Sequence, residues 1–404
     1  MSEKRIRLRE LGATYGGLTG KTKSDFGHGR ARFVTFTGVM ASTRLNDGSG
    51  LARVDVGPRE PQNQVRRGDL LFNGTSETPE DVAFATVVDW DPPAATYLNS
   101  FCFGYRLHAS SSGTIDATFL AYLFRAPQGR ALVSQLAQGF TRYNISKTKL
   151  MDLEIEVPNH KSQQSIASEL VDADDYVAAC QRVKRKQDLI ARGVRESLLL
   201  GHRRLPGFNA DWQEVSIGEL MTPRSERNVG GAALEVLSCT KDRGFVRSLD
   251  YFKNQVFSRN LSGYLIIRRG DIGYPANHVE EGSIGVQELV DRGLVSPIYV
   301  VMSARPGKVD TFFLHRLLKL DSFRQEFAKV TNASVNRRGS LRWPEFSQLR
   351  VRVPGIEEQK AIASTIRDFE AESARASRSV EKAEALRIGL MQQLLPDQAF
   401  EAVS

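Results

Sequence analysis

The sequence predicts a mixed α/β (α+β) chain with an internal duplication: two globular units separated by two long antiparallel coiled-coil helices. Three observations support this fold class. A motif recurs late in each half of the chain, a long segment poor in glycine and proline follows each copy, and a strand-rich segment precedes each copy. A length of 404 residues is enough for two or three domains of ordinary size.

The duplication is visible in two anchors. VPNHKSQQSIASEL begins at Val157 and VPGIEEQKAIASTI begins at Val353, an offset of 196 residues, and both contain a Gln followed by Ile-Ala-Ser. Upstream, RRGDLLF from Arg66 matches RRGDIGY from Arg268 at an offset of 202. Anchors that persist while the segments between them vary in length indicate a repeat of one structural unit.

The two globular units are predicted at 1–158 and 205–352. The runs RARFVTFTGVM, ALEVLSCT, YLIIRRGDI and SPIYVVM are short, apolar and bounded by turn residues, as is typical of strands. ATFLAYLFRAPQGRALVSQL and TFFLHRLLKLDSFRQEFAKV have helical spacing. Each unit should therefore mix strands with short helices.

The long helices are predicted within 159–204, which ends in a linker, and 353–404, which ends in a tail. Asn159 and Gly355 occupy equivalent positions after the prolines, and both residue types are accepted N-caps. Apolar residues recur every 3.5 positions in the same register in both segments, which indicates a coiled-coil seam. The proposed seam residues are Ile166, Leu170, Val177, Val194, Leu198, Ile362, Ile366, Phe369, Val380, Leu390 and Leu394. Two amphipathic helices that merely cover their own units are the alternative, but equal helices with equal seams most simply pair with each other.

Composition restricts the class of protein. Lys and Arg exceed Asp and Glu by 8, which fits a polyanionic partner without proving one. Three scattered cysteines argue against a disulfide framework and suit a reducing cytoplasm. The N-terminus lacks the apolar core of a signal peptide, and no run approaches about 18 apolar residues, so no membrane span is predicted.

Three motifs resemble catalytic ones and fail on their details. GLTGKT lacks the spacing of a phosphate-binding loop. Asp91-Pro92-Pro93 is followed by Ala94, where an amino-methyltransferase would carry an aromatic residue to stack on a flipped base, so a turn is the better interpretation. Glu358 fits half of a nuclease motif. A helix start explains this residue better, because a Glu in the first turn interacts favourably with the helix dipole. The histidines are scattered, so the prediction is no catalytic residue and no metal site.

The remaining chemistry favours DNA. A stretch from Cys180 to Arg204 carries eight Lys or Arg against two acids, which suits either a phosphate-tracking surface or a solvated helix end. Polar loops in the units carry side chains that pair with base edges, although any one of them is more often an ordinary surface residue. The candidate DNA-binding residues are Lys21, Lys23, Arg30, Arg32, Asn73, Thr75, Ser76, Glu77, Arg142, Asn144, Lys184, Arg185, Lys186, Lys241, Arg243, Asn254, Arg259, Asn260, Asn277, Asn336, Arg337 and Arg338.

The duplicated order of these motifs resembles the specificity (S) subunit of type I restriction-modification enzymes. The resemblance covers nearly the whole chain: Val-Pro, Gln and Ile-Ala-Ser open each long helix, a Leu-rich segment closes it, and the RRGD box lies upstream in both halves. Pro396-Asp397 departs from the first copy, which has Leu200-Gly201.

The resemblance implies a non-catalytic subunit of a multi-subunit restriction enzyme and adenine methyltransferase. Its two target-recognition domains would each read one half of a bipartite asymmetric site in double-stranded DNA. The long helices would set the gap between half-sites and dock two methylation subunits, joined by restriction subunits. S-adenosylmethionine, ATP and Mg²⁺ are then expected in the partner subunits and none in this chain. An enzyme with catalytic residues in its variable loops, or a duplicated protein-binding scaffold, are the alternatives.

Overall fold

A computed structural model describes residues 4–139, 141–252, 254, 257–333, 340–395 and 400–401. The helices are α1 Leu8–Leu11, α2 Phe36–Ala41, α3 Ala117–Arg125, α4 Pro127–Gln135, α5 Lys147–Met151, α6 His160–Leu199, α7 Ile217–Leu220, α8 Ser248–Tyr251, α9 Thr311–Leu318, α10 Asp321–Ala333, α11 Trp343–Phe346 and α12 Ile356–Leu394.

The strands are β1 Lys4–Arg7, β2 Gly12–Gly16, β3 Phe26–Val34, β4 Arg44–Leu45, β5 Leu51–Val54, β6 Leu70–Asn73, β7 Thr75–Ser76, β8 Ala85–Val88, β9 Thr96–Leu98, β10 Cys102–Leu107, β11 Ala137–Gln138, β12 Tyr143–Ile145, β13 Glu154–Val157, β14 Gln213–Ser216, β15 Met221–Arg224, β16 Leu237–Thr240, β17 Gly244–Arg247, β18 Leu265–Arg268, β19 Ile272–Pro275, β20 Gly285–Val286, β21 Arg292–Val295, β22 Tyr299–Ala304, β23 Arg350–Val353 and β24 Phe400–Glu401.

Contacts along the chain define two compact units. The first combines the residues up to Arg182 with those from Arg378 onward, and the second is Val183–Ser377. Each long helix therefore contributes one half to each unit. The predicted boundaries, by contrast, set the helices apart from the globular parts.

The first unit is built on a five-stranded sheet in the order β2-β10-β6-β8-β4. The same unit contains three smaller sheets, β5-β3-β9, β11-β12-β7 and β1-β13-β24. Helix α3 is almost wholly apolar and fully buried from Phe119 to Phe124, so it forms the centre of this unit's main core. The first unit therefore consists of the main sheet, the smaller sheets and the buried helix α3.

The second unit repeats the central part of this arrangement. Its four-stranded sheet has the order β15-β22-β19-β20, and it matches β2-β10-β6-β8 strand for strand. Two helices, α9 and α10, take the places of α3 and α4. The RRGD box leads directly into β6 in one unit and into β19 in the other. The mixed α/β fold and its internal duplication are therefore confirmed.

The repeated Gln has the same structural role in both units. The side chain of Gln163 accepts from the backbone N–H of Asp116 at 2.9 Å and donates to the carbonyl oxygens of Pro158 and Thr114. In the second unit, Gln359 makes the equivalent bonds with the N–H of Asp310 and with two carbonyls. Asp116 and Asp310 are the N-caps of α3 and α9, so each Gln fixes a long helix to the buried helix of its unit.

The repeated Asp of the RRGD box is also structural. Asp69 is fully buried and accepts hydrogen bonds from Tyr15 Oη at 2.6 Å, from the N–H of Arg66 and from both ends of the Arg106 guanidinium. Asp271 is held in the same way by the N–H of Arg268 and by Arg224 at 3.0 Å. Both copies of the box thus place a buried, hydrogen-bonded carboxylate directly before a central strand, as expected for a charged group inside a protein.

The long helices are antiparallel within each unit. In the first unit, Asp174 in the first half of α6 pairs with Arg387 in the second half of α12 at 3.4 Å. In the second unit, Ser373 from the first half of α12 contacts Asp188 from the second half of α6. The predicted N-cap Asn159 accepts from the N–H of Ser162 at 3.0 Å, and α12 begins directly after Gly355.

Many of the predicted seam residues pack against an α/β core as well as lying along the long helices. At the helix ends, Ile166, Leu170, Leu390 and Leu394 join the core of the first unit, and Val194, Leu198, Ile362 and Ile366 join the core of the second. In the middle, Val177 is buried, whereas Phe369 and Val380 are half-buried. The apolar stripe therefore anchors each helix end to an α/β core, and only its centre is a narrow helix-to-helix contact.

One predicted strand is wrong in its second half. The run RARFVTFTGVM forms β3 only as far as Val34, after which Thr35 caps the short helix α2 by accepting from the N–H of Gly38 at 3.0 Å. The Thr35 hydroxyl caps a helix start at this point. The run is rich in β-branched and aromatic residues, which are typical of strands, so the sequence did not indicate this helix. Over the described ranges, no helix has the length and apolar character needed to cross a membrane.

Candidate nucleic-acid interface

Many arginines in the described part of the chain pair with a carboxylate, and the exposed arginines without such a partner are the candidates for contacts with DNA. Arg44, Arg106, Arg204, Arg224 and Arg316, for example, each pair with an Asp or Glu within 3.2 Å. A cation that lacks such a partner remains available to phosphate or to a base edge.

A small polar sheet in the first unit brings several candidates together. Strands β11, β12 and β7 place Gln138 opposite Asn144 and Asn144 opposite Thr75. Side chains at directly opposed positions lie on the same face of a sheet, so an amide, an amide and a hydroxyl form one row. Asn144 and Gln138 are exposed, and Thr75 is half-buried. Asn144 and Thr75 were predicted from sequence, whereas Gln138 was not.

Arg142 lies beside this row and is exposed. Its guanidinium carbon is 5.4 Å from the centre of the Phe101 ring, within the range of a cation–π contact. Phe101 is 52% exposed, although its backbone is fixed by bonds to Asn99 and Gly74. Phe101 was not predicted from the sequence, because the residues around it do not show whether a phenylalanine is exposed or buried.

A second exposed cationic face lies on β3. Its alternating pattern buries Ala31 and Phe33 and exposes Arg30 and Arg32. Arg53 on β5 is directly opposite Arg32 and is also exposed. Like charges at opposed positions destabilise a sheet, and across the described ranges no carboxylate pairs with any of these three arginines. Such a face suits a polyanion, and Arg53 is an addition to the predicted set.

The remaining candidates of the first unit have varied positions. Lys23 and Glu77 are exposed, and Ser76 is half-buried on β7. Lys21 is largely buried and pairs with Glu60 at 2.5 Å. Asn73 requires a correction: it is fully buried, and its amide bonds to the backbone of Thr75, Asp81 and Phe84. Asn73 therefore holds the adjacent loop together and is not available to a base in this conformation.

In the second unit, the turn between β16 and β17 carries Lys241 and Arg243, both exposed. The guanidinium carbon of Arg243 lies 5.6 Å from the centre of the Tyr251 ring. Asn254 and Arg259 are exposed in the loop that follows α8, and Asn260 uses its side chain to cap a local turn at Ser262. Asn277 is half-buried at the end of β19, the position equivalent to Thr75. Asn336, Arg337 and Arg338 lie outside the described residues.

The basic stretch on α6 is partly neutralised. Lys184 pairs with Asp188 one turn later at 2.6 Å, and Arg204 makes a bidentate pair with buried Glu358. Arg185 and Lys186 are exposed. Three of the eight basic residues of the stretch, Lys184, Arg195 and Arg204, thus pair with a carboxylate, which leaves a smaller exposed group.

Two of the motifs that resemble catalytic ones, Glu358 and the GLTGKT segment, make structural contacts. Glu358 lies in the first turn of α12, as predicted, where its carboxylate also binds Arg204. The GLTGKT segment is held by Gln62, which bonds both the N–H and the carbonyl of Thr19, and only a short turn separates it from β3. Asp91-Pro92-Pro93 lies in the loop between β8 and β9. Within the described ranges, no group of three or more His, Cys, Asp or Glu is arranged to hold a metal ion.

A polar cavity of about 480 Å³ in the second unit is also lined by titratable groups. His315, Arg316 and Lys319 line it. Burial lowers the pKa of His315 to about 3, and its Nε2–H donates to the carbonyl of Ile284 at 3.2 Å. Lys319 donates to the carbonyls of Lys241 and Gly282. His315 and Lys319 are thus hydrogen-bonded to backbone carbonyls of their own unit.

The two-unit architecture with paired long helices defines a class of fold: that of the specificity subunits of type I restriction-modification systems. The S subunit from M. genitalium superposes with a TM-score of 0.59 at 14% identity, covering 98% of this chain and 97% of that chain. A chain from a type I system studied for complex assembly and conformational transition gives 0.57 at 14% identity, with 98% of each chain covered.

A third solved structure agrees. The HsdS subunit from Thermoanaerobacter tengcongensis gives a TM-score of 0.50 at 14% identity and covers 97% of this chain and 96% of that chain. No protein-family model and no curated protein matches the sequence. The likeness is therefore one of fold, extending over nearly the whole length.

Proposed function

We propose that this chain is the DNA-specificity subunit of a cytoplasmic type I restriction-modification complex. Each α/β unit reads one half of a bipartite, asymmetric site in double-stranded DNA. The long helices set the gap between the halves and dock two methylation subunits, and restriction subunits complete the assembly. The observation that carries the proposal is that both units expose arginines with no carboxylate partner among the described residues, such as Arg32 and Arg243, on a fold shared with S subunits.

The chain itself supplies recognition and no chemistry in this proposal. Support comes from the structural roles of Glu358 and the GLTGKT segment, and from the bonds that occupy His315. S-adenosylmethionine, ATP and Mg²⁺ belong to the partner subunits. A phosphate-contacting face such as that of Arg30, Arg32 and Arg53 would add affinity without sequence preference, whereas amide and guanidinium groups at base edges would add specificity.

The test is to assay methyl transfer to double-stranded DNA by the purified chain and by the chain assembled with its methylation subunits. The proposal predicts no transfer by the chain alone and sequence-dependent transfer by the assembly, with binding that weakens steeply as salt rises. Methyl transfer or cleavage by the chain alone would support the alternative of an enzyme. An assembly that binds DNA identically with and without this chain would support a protein-binding scaffold.

A further inference from the structure

We propose that Arg142, held over the ring of Phe101, reads a guanine in the half-site of the first unit. This inference rests on the proposed function and goes beyond it by naming the residue, its positioning partner and the base. Guanine presents O6 and N7 as adjacent acceptors in the major groove, and a guanidinium can bond both.

Arg142 has the properties that such a contact requires. It is exposed, and among the described residues no carboxylate pairs with it and its guanidinium makes no hydrogen bond. The contact with Phe101 limits the orientations of the guanidinium before DNA arrives, which lowers the entropic cost of binding. A guanidinium whose N–H groups have no partner among the described residues is suited to bidentate recognition.

The backbone explains why these two side chains meet. The N–H of Gly74 donates to the carbonyl of Phe101 at 2.8 Å, and the carbonyl of Gly74 accepts from the N–H of Ile145 at 3.2 Å. Gly74 therefore joins the loop that carries Phe101 to the strand that follows Arg142. A Cβ at this position would lie 3.0 Å from the Phe101 oxygen, which is closer than side chains normally tolerate.

The neighbouring groups suit a base-reading surface. Gln138, Asn144 and Thr75 form the row of amide and hydroxyl groups described above, and amides pair with adenine. The ring of Phe101 exposes apolar surface to water, and the Arg142 guanidinium lies over part of it. These groups and Arg142 offer donors and acceptors of different kinds within one small sheet and its turn.

The experiment compares variants of the chain assembled with its methylation subunits. Methylation rates are measured on DNA duplexes in which each position of the target is changed in turn. Arg142→Ala should reduce discrimination at one guanine by about tenfold or more, while every other position, including the whole second half-site, stays as in the unaltered assembly. Because the side chains of Arg142 and Phe101 are both exposed, the thermal unfolding temperature of the variant should equal that of the unaltered chain.

Arg142→Lys is the matched control because it keeps the charge and loses the planar fork. It should lose the same guanine preference while the salt dependence of binding stays unchanged. Phe101 is a positioning residue: Phe101→Ala should weaken the same preference by a smaller factor, and Phe101→Tyr should retain it.

Several results would overturn the inference. Full discrimination by Arg142→Lys would mean that only the charge matters, and uniform weakening by Arg142→Ala would mean a phosphate contact. A first half-site without guanine would also refute it. In these cases the unaltered assembly remains sequence-specific and the proposed function stands. An unaltered assembly with no sequence preference would refute both.

Discussion

Single side chains separate what the sequence predicted from what it concealed. The repeat identified Gln163 and Gln359 as important positions, but only the structure shows that each bridges a helix start and a second helix cap. Asn73 has the chemistry of a base reader, yet burial gives it a structural role. Arg53 and Phe101 went unnoticed because their significance depends on cross-strand and loop neighbours that are distant in sequence.

His315 gives the clearest prediction for an individual residue. Its pKa is about 3 in the folded chain because burial disfavours the charged ring, against an ordinary value of about 6.5. Below pH 6.5 the unfolded chain therefore binds a proton that the folded chain does not. The stability that neutral His315 provides is fully present above pH 6.5 and falls as the pH decreases toward 3.

Between pH 7 and pH 5 this one group should lower the free energy of unfolding by about 2 kcal/mol. His315→Gln retains a donor for the Ile284 carbonyl and cannot be protonated, so its loss over the same range should be smaller by about that amount. Urea unfolding at the two pH values measures the difference. His202→Gln, which alters an exposed histidine of the same unit, is the control. Equal losses for unaltered chain and His315→Gln would show that the ring is not kept neutral.

The helices were the elements best predicted from sequence. Their spacing and caps located α6 and α12 to within a few residues, because a 3.5-residue apolar pattern depends only on local order. The sequence did not show that the apolar stripe ends inside the α/β cores, since the same residues suit either environment. The helix after Thr35 was missed for the related reason that strand and helix signals overlapped over a short run.

The long helices also give a prediction about DNA spacing. Residues 184–187 of α6 and 375–378 of α12 lie between two contacts, Gln181 with Glu384 and Asp188 with Ser373. If the helices set the gap between half-sites, deleting both groups of four removes about 6 Å from each helix. Since DNA advances about 3.4 Å per base pair, the preferred gap should shorten by about one to two base pairs.

Deletion of residues 184–187 alone is the comparison, because it leaves the two helices unequal in length. The methylated motif of each assembled variant measures the gap, after circular dichroism has confirmed folding. The bases read in each half should stay the same, since their loops lie elsewhere. An active double-deletion variant with the original gap would mean that the helices dock partners but do not measure DNA.

For the whole molecule, the sequence predicted the architecture because it contains that architecture twice. The matching strand orders β2-β10-β6-β8 and β15-β22-β19-β20 account for the repeated RRGD and Val-Pro segments. The loops that differ between the copies are those that carry the candidate base readers, and there the repeat gives no guidance. A shared sheet with different loops is what two units that recognise different half-sites would require.

The most direct measurement replaces residues 205–352 with the matching unit of a protein of this fold that has a different target. The chimera is assembled with the same methylation subunits, and its methylated motif is determined by sequencing that detects N6-methyladenine. We expect the half-site of the second unit to change and the half-site of the first unit to be retained. A motif that changes in both halves, or in neither, would contradict the claim that each unit reads its own half.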